Sequence, residues 1–193
     1  PSSPSLQEAP LILPDDPPVS SAGSIMEVLK SREIWLVYLY VFALITVEMA
    51  AIAHLILYLK EVLLFTTIAA GGLLAMTEAG GVLGKPAGGI ISDLVFRGSR
   101  KKVLLIWGIF ATLTCLLLAV SGTSLSWDLY PILILFGVTA IGFGGLALTL
   151  VAELAGKELA GVATGGQGAV AMLGNMLGPI LFGYIVDTTA SYS

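Results

Sequence analysis

The sequence predicts an all-α membrane protein with five transmembrane helices, and three observations carry that prediction. Hydrophobic residues make up 56% of the 193 residues and charged ones only 11%, less than half of the roughly 25% with which a soluble domain covers its surface. The apolar residues gather in five blocks, each near the ~20 residues a helix needs to cross the hydrocarbon core. None of the blocks alternates polar and apolar with a period of two, which speaks against a β-barrel.

The elements follow in chain order. Residues 1–23 are rich in proline and serine, with acids and few aromatics, and read as a disordered cytoplasmic linker. Residues 24–33 fit a short interfacial helix, with Ser24 as N-cap and Glu27 three residues on. The spans run about 34–58, 68–92, 103–120, 130–152 and 162–186. The separators are short and carry charge or breakers: Lys60-Glu61, the basic loop 97–102, Ser121 to Ser124, and Ala155 to Glu158. Short connections make each span reverse the last. Lys30 and Arg32 precede the first span, Arg97, Arg100, Lys101 and Lys102 follow the second, and Lys157 follows the fourth. Five spans put all of these bases on one side, with Lys60 opposite beside Glu61. That side is expected to be cytoplasmic, which places Ser193 outside. The single cysteine, Cys115, excludes an intrachain disulfide and says nothing of compartment. The chain starts at Pro1 with neither Met nor a signal-peptide pattern, and reads as a fragment.

Glycines recur inside the spans. Gly80, Gly84 and Gly88 repeat every four residues in the second, and Gly161/Gly165 and Gly174/Gly178 do so in the fifth. The fourth holds Gly137, Gly142, Gly144 and Gly145. Small residues at that spacing let helix backbones approach closely, so packing is the plain reading. The functional alternative is a face that slides or bends during a conformational cycle. Pro86 and Pro179 add to it, because an interior proline frees a carbonyl and kinks a helix. Pro131 stands near a helix start, where it is harmless. Gly84-Lys85 lacks the leading glycine and the following Ser/Thr of a phosphate loop, and Gly142-Phe143-Gly144 follows no strand.

The polar groups inside the spans carry the chemistry. Glu48 and Glu78 lie near the middle of the first and second spans, each roughly 20 Å from the cytoplasmic end. A carboxylate at that depth costs several kcal/mol, so each is expected to face the bundle interior or a water-filled cavity, protonated or paired. A carboxyl that loads and releases a proton is the functional reading; a structural acid bonded to a neighbouring helix is the plain one. His54, six residues past Glu48 and the only histidine, suits either a hydrogen bond near the outer interface or a proton relay. Gln167 and Asn175 in the fifth span can bond a substrate or glue helices. Lys85 lies near enough to the cytoplasmic end to snorkel. That leaves no cation at the midplane of these spans, which argues against a strongly anionic substrate held by this part of the chain. The pattern contains no catalytic constellation, no metal-ligand cluster, no cofactor motif and no nucleic-acid surface. The expected partners are the lipid bilayer and a small solute.

The loop Gly89-Ile90-Ile91-Ser92-Asp93, followed by Arg97-Gly98 and Arg100-Lys101-Lys102, resembles the cytoplasmic signature loop of the major facilitator superfamily. Leu94 stands where the family usually has arginine. Glu153 to Glu158 is similar to the family's acidic turn between helices ten and eleven. Gly174 to Gly183, with Gly178-Pro179 at its centre, resembles the glycine-proline motif of antiporter helix five, in the symmetry-related helix. The chain thus looks like the C-terminal half of such a transporter, helices seven to eleven, with the last helix of the six-helix bundle missing. The resemblance implies that Asp93 contacts a helix of the opposite half. It also implies that Arg97, Arg100 and Lys101 latch a cytoplasmic gate, with Glu153 as a partner. It implies alternating access about a midplane site, secondary transport of a small solute, which the carboxyls Glu48 and Glu78 suggest is coupled to protons, and an N-terminal half belonging to the same polypeptide. The expected place is a plasma membrane, the inner one in a bacterium. Symport, antiport and uniport stay open. The alternative is a multi-span scaffold or assembly subunit that transports nothing.

Overall fold

A computed structural model describes residues 21–120 and 129–189. Among them are helices α1 (Ser21–Lys30), α2 (Arg32–Glu61), α3 (Thr67–Leu94), α4 (Arg100–Val120) and α5 (Leu129–Phe136), a π-helical turn (Gly137–Ile141), and α6 (Gly144–Thr189). Most of the expected linker, residues 1–20, and the separator 121–124 lie outside the described residues.

The expected cap at Ser24 is corrected, because α1 begins at Ser21 and Ser24 lies inside it. The caps fall elsewhere. Ser31 has extended backbone and accepts a hydrogen bond from the Ile34 amide, which separates α1 from α2 and assigns residues 32 and 33 to the first span. Thr66 does the same for α3 through the Ala69 amide. Each cap satisfies an amide that the first helical turn leaves unpaired.

The stretch from Leu129 to Thr189 covers 61 residues, about 90 Å of helix against a hydrocarbon core of about 30 Å. It folds back at Gly156, where φ is 76° and ψ 171°. Contacts fix the directions of the two arms. Glu153, at the end of the first arm, pairs with Arg100 at the start of α4. In the second arm Ala163 meets Tyr38, and Gly178 meets Thr46 and Ala50, so this arm runs parallel to α2. The chain therefore makes five helical passes, each long enough to cross a membrane if the last stretch is divided at Gly156, and the bases of α1, the α3–α4 loop and Gly156–Lys157 gather at one end, the basic end.

Two close seams hold the bundle. In one, α3 lies against the π turn: a Cβ on Gly80 would sit 2.7 Å from the Ile134 carbonyl oxygen, and one on Gly84 would meet the Val138 carbonyl. Gly88 leaves room for the Trp107 ring. In the other, Gly174 and Gly178 admit the backbone of α2 at Phe42 and Thr46. Gly161 and Gly165, at the same spacing, face open space. The expected regular fourth span is interrupted as well. The Gly142 amide bonds the Gly137 carbonyl five residues back, and Gly137 and Gly142 themselves lie against the backbone of α3. The wider turn is accommodated where both helices lack side chains. The largest buried cluster joins α1, α2, α4 and α6 near the basic end, around Tyr38, Trp107 and Phe143.

Candidate functional site

Two sites carry the polar chemistry, one inside the bundle and one at its basic end. The interior site starts from the heptad spacing of α2. Ile34, Val41 and Leu55 are buried at intervals that place Glu48 on the same stripe, so the half-buried Glu48 is turned inward. Glu48 is about 24 Å from Arg32 along α2, and Glu78 about 24 Å from Leu94 along α3. The two helices are antiparallel, so the carboxyls come to equal depth. On α3, Lys85 is seven residues beyond Glu78 and shares its face. Both lie roughly a quarter-turn from the glycine seam that fixes the rotation of the helix. The Glu48 carboxyl is within electrostatic reach of both the Glu78 carboxyl and the Lys85 ammonium. Glu48 thus lies within electrostatic range of Glu78 and Lys85, with no hydrogen bond or ion pair joining the three among the described residues. The spacing from Glu78 was the available signal for that lysine.

His54 is not part of this cluster. Its Nε2 is 3.3 Å from the Pro179 carbonyl oxygen, in place to donate when that nitrogen carries the proton. Its ring lies 4.7 Å from that of Phe182. It lines a largely apolar cavity of about 350 Å³ with Tyr58, Cys115, Phe136 and Phe182. Gln167 is 5% exposed and sits in the second arm between the Tyr38–Ala163 bond and the Gly174–Phe42 contact. Its Oε1 has no hydrogen-bond partner among the described residues. Asn175 is exposed, pointing away from the α2 seam that its neighbour Gly174 forms.

At the basic end, Arg100 Nε donates to Glu153 Oε1 at 2.6 Å, and Lys101 Nζ to Glu33 Oε2 at 2.6 Å. Adjacent residues of α4 therefore tie it to both α6 and α2. The Arg100 side chain is 20% exposed and Glu153 49%, whereas both members of the other pair are more than half exposed. Such pairs are worth up to about 1 kcal/mol each in solvent. Glu33 is the member that the sequence pattern did not single out; an acid in the first turn of a span that begins at the basic end was its signal. Asp93 and Arg97 are exposed and form no ion pair among the described residues. Arg97 and Gly98 both have positive φ, 53° and 82°, making the tight reversal that joins α3 to α4. The Gly98 amide closes it on the Ser92 carbonyl at 2.8 Å. Gly89 faces open space.

The comparisons with known proteins agree on one family. The model of the Major Facilitator Superfamily matches residues 3–189. The probable galactarate/D-glucarate transporter GudP of Bacillus subtilis (strain 168) is 26% identical over 174 residues, 88% of this chain and 38% of that protein. Its namesake in Escherichia coli (strain K12) is 29% identical over 181 residues, 89% of this chain and 38% of that protein. Monocarboxylate transporter 13 of Bos taurus is 32% identical over 197 residues, 95% of this chain and 42% of that protein. The chain therefore spans about two fifths of the length of these relatives. A crystal structure of a variant of FucP, the E. coli fucose:proton symporter, superposes with a TM-score of 0.72 at 17% identity. It covers 89% of this chain and 40% of that one, a likeness of fold. With five apolar helical passes that each reverse the last, two small-residue seams and a family model matched over residues 3–189, this chain belongs to the major facilitator superfamily.

Proposed function

We propose that this chain is the C-terminal-half part of a secondary active transporter that moves a small solute by alternating access, coupled to protons through Glu48 and Glu78. The observation that carries the proposal is two half-buried carboxyls at equal depth on α2 and α3, within electrostatic range of each other, an arrangement that is costly inside a membrane. Two carboxyls in electrostatic contact do not hold two charges as readily as one, so a shared site can take up and give back a proton. His54, Gln167 and Asn175 are the further polar groups along the path. An N-terminal half supplies the opposite wall of the cavity. The basic end faces the cytoplasm by the positive-inside rule. There the Arg100–Glu153 and Lys101–Glu33 pairs brace the gate, and the unpaired Asp93 and Arg97 reach the opposite half. Three of the relatives are named for carboxylates, which supports a small carboxylate as the solute.

The test is solute accumulation in vesicles carrying the full-length protein. Glu48→Gln is expected to abolish accumulation driven by a pH gradient while leaving solute exchange at equilibrium. Undiminished accumulation in that variant removes Glu48 from the coupling role.

A further inference from the structure

The short helix α1 is the element that the transport reading leaves without a task. It ends at Lys30, one residue before the cap Ser31 gives way to α2 at the basic end. Val28 seats it on the bundle, buried in the cluster around Tyr38, Trp107 and Phe143. Going round the helix from Val28, Ile25, Leu29 and Met26 follow at about 60°, 100° and 160°, then Lys30 at about 200° and Glu27 at about 260°. Ile25, Leu29 and Met26 are 48%, 48% and 54% exposed. Beside its seat, α1 therefore keeps a second apolar arc that the described residues leave open, with a lysine on its rim and the acid beyond. A helix lying in the headgroup layer of a bilayer has this order. Its apolar arc meets the acyl chains, the lysine stem runs along the arc, and the acid stands in water.

Two hydrogen bonds set α1 against α2. Trp35 Nε1 donates to the Leu29 carbonyl oxygen at 2.9 Å, and the Ser31 amide to that of Val28 at 3.1 Å. Both carbonyls belong to the last turn of α1, which lacks intrahelical donors. Trp35 is itself 48% exposed, and the open apolar surface continues from it to Leu36 and Leu39 of α2. Tryptophan suits the boundary between acyl chains and water. Lys30, Arg32 and Lys102 are exposed and form no ion pair among the described residues. Glu33, next to Arg32, is taken by Lys101. The free charge beside the arc is thus positive, and an anionic lipid surface complements it. A soluble partner would have to match an apolar surface that runs on into a membrane span.

We infer that α1 lies in the headgroup layer of the leaflet at the basic end, with Ile25, Met26 and Leu29 among the acyl chains and Lys30 and Arg32 on the phosphates of anionic phospholipids. This goes beyond the transport reading and holds for any solute. The contact reaches further into the bundle through Trp35. Its ring meets the Tyr38 ring edge-on at 5.7 Å, and the Tyr38 hydroxyl donates to the Ala163 carbonyl oxygen at 2.6 Å, on the second arm of α6.

The experiment uses the full-length protein with a single cysteine, Met26→Cys or Glu27→Cys, labelled with a fluorophore. It is reconstituted in mixed vesicles of phosphatidylcholine and phosphatidylglycerol, at equal amounts of folded protein. Quenching is read with one or the other lipid brominated in its acyl chains, and with iodide in the water. Brominated lipid is expected to quench the Met26 probe, about threefold or more strongly as phosphatidylglycerol than as phosphatidylcholine, and iodide to quench the Glu27 probe. Adding Lys30→Gln and Arg32→Gln is expected to make the two lipids equal while the Met26 probe stays in lipid. A Met26 probe reached by iodide and by neither lipid overturns the inference, because α1 then stands in water. One reached by neither iodide nor lipid overturns it in favour of a protein cover. Equal quenching by the two lipids without those substitutions, or an undiminished preference with them, overturns the recognition of anionic lipid.

Discussion

A methyl group separates the two kinds of glycine in this bundle. Gly84 sits backbone to backbone with the π turn, whereas Gly161, on an equally regular stripe, faces nothing. Gly84→Leu is therefore expected to destabilise the full-length protein by about 1–3 kcal/mol through overpacking, read as a lowered melting temperature in detergent. Gly161→Ala is expected to be neutral or slightly stabilising, since it only improves helix propensity. Equal melting temperatures for the two variants contradict the seam. Spacing alone tells which residues share a face and not what abuts it, which is why both stripes looked alike in the sequence. The same limit applies to Lys85. Its position fitted snorkelling to the interface, and only the packing of α2 beside α3 brings it within electrostatic range of Glu48. Glu48 itself was legible, because a lone acid in a long apolar run has few innocent explanations.

Helices and their junctions show a similar division. The five crossings were legible from apolar length and the clustering of bases, and the turn at Gly156 from its breaker residues. The π turn was not, because Gly137–Ile141 is as apolar as any helix and the cause of its widening lies on α3. At Gly156, φ of 76° combined with ψ of 171° suits glycine alone, and Gly156→Ala is expected to cost about 1–3 kcal/mol, measurable by thermal melting. An unchanged melting temperature means that the two arms reverse without that conformation. The Arg100–Glu153 pair ties α4 to α6. A double-mutant cycle with Arg100→Gln and Glu153→Gln is expected to give a coupling of about 0.2–1 kcal/mol, shrinking in high salt because Glu153 is half exposed. Zero coupling at low salt means that the pair is incidental to how these helices are held.

For the whole molecule, the parallel pairing of α2 with the second arm of α6, and of α3 with α5 and the first arm, leaves the carboxyl pair and Lys85 on inward or open faces. The glycine seams set the rotation of those helices. In the proposed transport cycle they form one wall that moves against an opposite half. The fold class could be read because membrane insertion writes itself in composition and charge placement. The interior cluster could be read only in part, because a sequence locates depth along each helix but not which helices become neighbours. The most direct measurement is the change in external pH when a carboxylate such as lactate is added to vesicles carrying the full-length protein, with Glu48→Gln alongside. Proton uptake that accompanies the solute in wild type, and its loss in a variant that still exchanges solute, is the predicted result. A folded wild type that moves carboxylate with no proton, or a Glu48→Gln variant with an undiminished proton signal, contradicts coupling through the carboxyl pair.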